Sequence, residues 1–229
     1  MDRCELNSIE ILSEKTEKFY QKYLRDAPKS VQELKEAATK RLLESKVEER
    51  ALKIGQIIPK FILINALSQK ELNSQSELQK GPLVISFFRG SWCGYCNIEL
   101  EALAKINQHI KSLGASLVAI SPQIDGGIAD VVELYNIDFP ILIDDNNATA
   151  EAFGLAVEMD SSLHEAYRDK FCINVPQING TNDWRLPITA TYIVGSDGVI
   201  IECDTCPDHT KRMEPKRILE VLLDLSDKK

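Results

Sequence analysis

The order of apolar and polar positions along the chain predicts strands that alternate with helices. Continuous apolar runs, typical of strands covered on both faces, occupy residues 61–64, 83–88, 116–120 and 139–143. Apolar residues at helical spacing fill the segments between the later runs, at residues 97–113 and 127–135. A strand, a helix and a second strand in this order form a right-handed crossover between parallel strands. This part of the chain therefore predicts an α/β fold.

The last third of the chain predicts antiparallel strands and a closing helix. Residues 187–194 and 199–203 read as strands, and the turn sequence Gly-Ser-Asp-Gly at 195–198 joins them as a hairpin. Residues 214–225 are amphipathic at helical spacing. Together with the parallel part, the hairpin indicates a mixed central sheet flanked by helices.

Residues 1–52 contain no glycine and a single proline, Pro28, and their apolar positions recur at helical spacing. They predict a helical N-terminal extension of two helices, lying on the domain or on a partner chain. Gly55 and Pro59 mark the change to turns and short strands. We therefore expect an extension at residues 1–52 and a domain at 53–229. A homodimer through the extension stays open.

Cys93 and Cys96 form a C-x-x-C between the strand at 83–88 and the following helix. Backbone N–H groups at a helix N-terminus stabilise negative charge and lower the pKa of a cysteine placed there. Cys93 is expected at the exposed end as the nucleophile, and Cys96 faces inward to attack the oxidised sulfur. The alternatives are half of a zinc site and an inert pair.

Composition narrows the class of protein. The chain has 229 residues, 44% hydrophobic and 27% charged, with a net charge of −8, so nothing favours binding to nucleic acid. The first residues lack the pattern of a signal peptide, and no apolar run approaches the roughly 18–20 residues of a membrane span. We expect a cytoplasmic protein whose six cysteines serve chemistry rather than structural disulfides.

Four segments resemble the peroxiredoxin-like branch of the AhpC/TSA family, in the right order and from about Ala51 to the C-terminus. They are residues 87–100 (FFRGSWCGYCNIEL), 117–123 (LVAISPQ), 186–194 (LPITATYIV) and 207–215 (PDHTKRMEP). The resemblance implies a thioredoxin-like fold and an antioxidant enzyme that reduces hydroperoxides with electrons from a thioredoxin-type dithiol donor. It implies redox-active cysteines and no other cofactor or metal.

The resemblance also implies supporting residues around the thiols. Arg89, Trp92 and Pro187 are assigned to the substrate groove, and the Leu186–Pro187 bond is expected to be cis, packed against the reactive disulfide. Arg89 is expected to stabilise a thiolate or a charge developing on peroxide oxygen, the alternative being a surface charge.

The chain departs from the family motif Pro-x-x-x-Thr-x-x-Cys, whose threonine holds the peroxide. In one alignment Arg89, Cys93 and Cys96 take the Pro, Thr and Cys positions. In the other Cys93 is the peroxide-reacting thiol and Gly90 takes the Thr position. Neither keeps the threonine, so two alternatives stay open: a general thiol–disulfide oxidoreductase, and a redox-sensing or zinc-holding interaction protein.

A second C-x-x-C, Cys203 and Cys206, lies outside the resemblance. The hairpin register places Cys203 opposite residues 190–192 and Cys206 opposite 187–189, the end marked by Pro187. The pair is a candidate to relay or resolve oxidation at Cys93, or to share zinc with the first pair, and incidental placement is the remaining alternative. Of the other candidates, His209 is expected at the surface and Cys172 to be a buried structural thiol.

Overall fold

The computed structural model describes residues 5–227 and contains a seven-stranded mixed sheet. In spatial order its strands are β2 (Glu71–Asn73), β1 (Ile62–Asn65), β5 (Ile141–Ile143), β4 (Ser116–Ser121), β3 (Leu83–Phe87), β8 (Ala190–Val194) and β9 (Ile200–Thr205). A separate two-stranded sheet pairs β6 (Ala156–Glu158) with β7 (Arg185–Pro187). The helices are α1 (Leu12–Asp26), α2 (Lys29–Glu44), α3 (Ser74–Leu78), α4 (Gly94–Ser112), α5 (Gly127–Tyr135), α6 (Ala148–Ala152), α7 (Val175–Asn179) and α8 (Pro215–Ser226).

The centre of the sheet is parallel, and its outer strands are antiparallel. β3 pairs in parallel with β4, and β4 with β5, while β8 runs antiparallel to β3 and to β9. Every residue of β3 is buried, because both faces of the sheet are covered. Val84 faces a core built with α4, α5 and α8, whereas Ile85 and Phe87 face a second core on the other side. The predicted α/β class and mixed sheet are confirmed.

The predicted N-terminal helices are present and lie against the same chain. α1 packs on α4, and the backbone N–H groups of Leu12 and Ser13 donate to the Glu214 carboxylate at 2.8 and 2.9 Å. α2 continues to the two-stranded sheet, where Ala38 joins a third apolar cluster with Leu186. The domain boundary and an association with a second copy stay predictions.

The predicted strand at 187–194 is broken in two, and the expected cis bond before Pro187 is absent. None of the peptide bonds between residues 5 and 227 is cis. Pro187 pairs with Ala156 across the small sheet, and the Ile188 N–H donates to the Leu155 oxygen at 2.9 Å. The prediction of a single strand was wrong because β7 pairs with β6 rather than continuing straight into β8. The prediction of a cis bond before Pro187 was also wrong. Within the same residues, no helix combines the length and apolar character needed to cross a membrane.

Candidate functional site

The loop between β3 and α4 places Cys93 at the N-cap of α4. The Cys93 N–H donates to the Gly90 oxygen at 3.1 Å, and the Asn97 N–H donates to the Cys93 oxygen at 3.0 Å. Gly90 has φ +152°, and a Cβ there would lie 2.4 Å from the Trp92 Nε1, so only glycine fits this turn. The local sequence thus sets Cys93 at the positive end of a 19-residue helix.

Both sulfurs are buried and free, and their Sγ atoms lie 2.8 Å apart. Cys96 is fully buried, as expected, but Cys93 is only 2% exposed, so the prediction of an exposed nucleophile was wrong. The Arg89 Nη2 donates to the Cys93 Sγ at 3.0 Å, and the Arg212 Nη2 lies 3.5 Å from the Cys96 Sγ. Arg89 is therefore a thiolate partner rather than a surface charge.

The pKa values of the two thiols move in opposite directions. Burial alone would raise the pKa of Cys93, but the hydrogen bond from Cys96 and the charges of Arg89 and Arg212 outweigh it and hold that pKa well below its usual range. Burial and the neighbouring Cys93 thiolate raise the pKa of Cys96 well above its usual range. One proton is thus shared unequally, with the thiolate on Cys93 and the thiol on Cys96.

Arg212 is held in place by a buried ion pair with Glu99. The Arg212 Nε donates to the Glu99 Oε2, and both side chains are only 3% exposed. The other Glu99 oxygen lies 3.3 Å from the Thr191 hydroxyl and 3.5 Å from that of Ser86. Burial raises the pKa of Glu99 despite the adjacent guanidinium. This network orients the Arg212 guanidinium next to the Cys96 sulfur.

Cys93 opens into a cavity of about 1010 Å³ between the N-terminal helices and the domain. From α2, Lys35 enters this cavity with its Nζ 4.6 Å from the ring centre of Tyr23, 4.7 Å from Phe171 and 5.5 Å from Tyr167. Burial, with a contribution from the charge of Arg89, lowers the pKa of Lys35 to about 8. The extension therefore supplies one wall of the site and a third cation.

Trp92 and Pro187, the other two residues predicted to form the substrate groove, lie near Arg89. The Arg89 guanidinium lies 5.1 Å from the ring centre of Trp92, and Trp92 packs edge-on against Tyr167 at 5.9 Å. Pro187, Arg89 and His209 line a smaller side pocket. The structure thus brings Arg89, Trp92 and Pro187 to one place, although Pro187 arrives there from the small sheet.

His209 is half-buried rather than a surface residue, which corrects the expectation. Its ring packs edge-on against Tyr95, with the ring centres 5.5 Å apart. Burial, together with the positive charges of Arg89, Arg212 and Lys35, keeps the pKa of His209 well below its usual range. The imidazole is therefore neutral and adds no charge beside the thiolate.

Cys203 does not join the site. Cys203 pairs with Tyr192, as predicted within its range, but it packs into the core on the face opposite Cys93 and Cys96. Three residues along an extended strand span about 10 Å, beyond the reach of a disulfide, so Cys203 and Cys206 cannot bond in this conformation. Burial also raises the pKa of both thiols.

A shared zinc site finds no geometric support. Within residues 5–227, no three His, Cys, Asp or Glu side chains lie close enough to hold one metal ion.

Cys172 is exposed and takes the left-handed conformation, with φ 55°, so the prediction of a buried structural thiol was wrong.

Sequence reasoning missed Lys35, Glu99 and Arg212. Arg212 lies 116 residues from Cys96 along the chain and Lys35 is in the helical extension, so no local spacing connects them to the thiols. Glu99 offered one signal. It follows Cys96 by three residues on the apolar face of α4, where a carboxylate needs a buried partner.

Two curated proteins are similar in sequence to part of this chain. Among curated proteins, the chain is 25% identical over 109 residues to the thiol-disulfide oxidoreductase ResA of Bacillus thuringiensis subsp. konkukian, covering 47% of this chain and 61% of ResA. It is 26% identical over 126 residues to the putative peroxiredoxin bcp of Haemophilus influenzae, covering 54% of this chain and 80% of that protein.

Solved structures show the same fold. The peroxidoxin BcpB of Mycobacterium tuberculosis matches with a TM-score of 0.56 and 18% identity, covering 76% of this chain and 98% of BcpB. Peroxiredoxin 6 of Arenicola marina matches with a TM-score of 0.59 and 19% identity, covering 78% and 76%. The predicted thioredoxin-like fold is thereby confirmed. Residues 54–203 match the AhpC/TSA family, and the chain therefore belongs to the AhpC/TSA family.

Proposed function

We propose that this protein is a peroxiredoxin-like peroxidase that reduces hydroperoxides through Cys93 and Cys96 and is recycled by a thioredoxin-type dithiol. One observation carries the proposal: the Cys93 sulfur lies 3.0 Å from the Arg89 guanidinium and 2.8 Å from the Cys96 sulfur. The first contact stabilises the attacking thiolate. The second places a protonated thiol where it can resolve the oxidised product.

The proposed reaction runs in two steps. The Cys93 thiolate attacks the terminal peroxide oxygen, a sulfur–oxygen bond forms, the oxygen–oxygen bond breaks, and the departing alkoxide or hydroxide takes a proton from water. The sulfur gives two electrons to the peroxide and becomes a sulfenic acid. Cys96 then attacks that sulfur, water leaves, and the disulfide forms. An external dithiol returns both thiols, consistent with the expected cytoplasmic setting.

Stopped-flow mixing of reduced protein with hydrogen peroxide tests the proposal. We expect rapid oxidation in the wild type, a disulfide product, and loss of the reaction in Cys93→Ser. Cys96→Ser should still react once and accumulate a sulfenic acid that a trapping reagent labels. Loss only in Cys96→Ser would assign the attacking role to the other thiol, and a slow wild type would refute the peroxidase.

A general disulfide reductase is the second candidate function. It is favoured by Gly90, which has no side chain at the motif position of the threonine when Cys93 reacts, and by the ResA relatives. The same stopped-flow experiment with a small aromatic disulfide separates the two functions. Fast exchange with the disulfide and slow oxidation by hydroperoxides would establish this second activity instead.

A further inference from the structure

Lys35 carries a positive charge into the cavity of the reactive thiol without an anion of its own. Its ammonium lies between the rings of Tyr23, Tyr167 and Phe171, within 5.5 Å of each ring centre. Within residues 5–227 it forms neither an ion pair nor a hydrogen bond with a carboxylate. A lysine usually extends its charge into water, and a poorly solvated ammonium is costly unless an anion pairs with it. This position therefore suits a lysine whose anion is part of a ligand.

The other two cations near the thiols already have anions. The Arg89 Nη2 donates to the Cys93 sulfur at 3.0 Å, and Arg212 forms the buried ion pair with Glu99. Lys35 lies close enough to Arg89 and Cys93 for their charges to act on it. An acidic molecule that approaches Cys93 through this cavity therefore meets Lys35 as a cation that is not yet paired.

The carboxylates on the cavity wall do not neutralise Lys35. Among the residues that the structure describes, they are Glu17, Glu36 and Asp208. Glu17 and Glu36 are exposed to solvent. Asp208 accepts from the Thr210 N–H at 3.0 Å and from the Thr210 hydroxyl at 2.8 Å. None of the three acts appreciably on the charge of Lys35, so the pairing is left to a ligand.

The cavity is wide enough for an organic substrate. Its volume of about 1010 Å³ is at the upper end of the range for small-molecule sites. Cys93 and Lys35 both line it, and its wall includes the rings of Phe19, Tyr95 and Trp92. Aromatic walls suit an apolar body. One ammonium matches the single charge of a carboxylate, whereas a phosphate usually takes several donors.

The N-terminal extension supplies this cation, not the part of the chain that matches the family. Lys35 lies in α2, ahead of residues 54–203. The helix is fixed to the domain, because the Arg41 Nε donates to the Asp160 carboxylate at 2.6 Å and Ala38 packs into the third apolar cluster. Lys35 is therefore held in place before a ligand binds.

We infer that the cavity selects an acidic substrate of Cys93, whose carboxylate pairs with Lys35 and whose apolar body packs on the aromatic wall. That the reacting group is a hydroperoxide rests on the proposed peroxidase function. The Cys93 sulfur then bonds to the terminal peroxide oxygen as the oxygen–oxygen bond breaks, and the alkoxide, which still carries the carboxylate, takes a proton from water. Lys35 transfers no proton and acts as a specificity residue.

A matched pair of hydroperoxides tests this inference: cumene hydroperoxide and its para-carboxylate derivative, which share the reacting group. Stopped-flow oxidation of the reduced protein gives a rate constant for each, and the readout is the ratio of the acidic to the neutral probe. Since both probes react with the same thiolate, the ratio cancels any change in the pKa of Cys93. We expect Lys35→Met to lower the ratio about 10-fold, as the loss of a contact between charged groups predicts. Lys35→Arg should keep the wild-type ratio.

Lys40→Met is the matched control, because it removes the same charge from the same helix and cavity wall. The Lys40 side chain is 75% exposed and lies 3.8 Å from the Glu44 carboxylate, so its loss should change the ratio by less than about twofold. Equal falls in Lys35→Met and Lys40→Met would show an effect of net charge alone and overturn the inference. A wild-type ratio in Lys35→Met would overturn it as well.

Two aromatic disulfides separate this inference from the peroxidase function: dithiobis-nitrobenzoate, which carries carboxylates, and neutral dithiodipyridine. With either, the Cys93 thiolate forms a mixed disulfide with one half and expels the other half as a thiolate, followed by its absorbance after subtraction of the rate in Cys93→Ser. A lower ratio in Lys35→Met, in a protein that hydroperoxides oxidise only slowly, would refute the peroxidase and support the selection of acidic substrates. Rapid oxidation by hydroperoxides with both ratios unchanged in Lys35→Met would overturn the selection and leave the peroxidase intact.

Discussion

Replacing Arg89 with methionine tests the electrostatic basis of the site. The Arg89 Nη2 donates to the Cys93 sulfur at 3.0 Å, and a hydrogen bond to a charged group contributes about 1.5–3 kcal/mol. Because one pKa unit corresponds to about 1.36 kcal/mol, the substitution should raise the pKa of Cys93 by about 1–2. Methionine retains much of the apolar contact with Trp92, so the effect isolates the charge.

The assay is the pH dependence of Cys93 alkylation, followed by mass spectrometry of the peptide that carries it, in a Cys96→Ser background. Since the charge and hydrogen bond of Arg89 lower the pKa of Cys93, the midpoint of the profile should move to higher pH by about 1–2 units in the variant relative to its Cys96→Ser parent. Arg41→Met is the matched control, because Arg41 pairs with Asp160 and touches neither sulfur. An unchanged profile in Arg89→Met would refute the reasoning.

Three further predictions concern the network around the thiols. Arg212→Met should lower the free energy of unfolding, measured in urea, by about 3–5 kcal/mol, because it leaves the buried Glu99 carboxylate unpaired. The double variant Arg212→Met with Glu99→Gln should lower it by less. Equal decreases in the two variants would contradict this prediction. Gly94→Ala should cost about 1–3 kcal/mol, since its Cβ would lie 2.4 Å from the Phe19 ring, and adding Phe19→Ala should recover part of the loss in the same assay. Lys35→Met should stabilise the fold most below pH about 8, where the poorly solvated ammonium is charged. Because the folded-state pKa lies below the unfolded one, wild-type stability rises with pH from about 8 to about 10.4, so the advantage of the variant should shrink across that window; a constant difference would contradict it.

The periodicity of the chain was sufficient for most of the fold. Continuous apolar runs predicted β3 and β4 because both faces of those strands are buried, and the helical spacing at 127–135 matches α5. The turn at 195–198 gave the β8–β9 hairpin and its register, since a short turn fixes which residues face each other. These are local signals, and they do not depend on contacts with distant segments.

These local signals could not predict how segments far apart along the chain pair with each other. Residues 187–194 read as one strand, yet β7, which includes Pro187, pairs with β6 outside the main sheet. Backbone hydrogen-bonding partners far along the chain decide which sheet a strand joins. The burial of Cys93 was likewise not predicted. Cys93 is only 2% exposed and lines a cavity whose other wall comes from α1 and α2, whereas Cys203 lies on the opposite face of the sheet.

The sequence by itself determined a thiol pair at the start of a helix that follows a buried strand, and with it the redox site that we propose. Only the tertiary structure decided what surrounds it: Arg89 on one sulfur, Arg212 near the other, and Lys35 reaching in from the extension. The physical reason is that a thiolate is stabilised by charge in three dimensions, and buried charges act across the fold rather than along the chain.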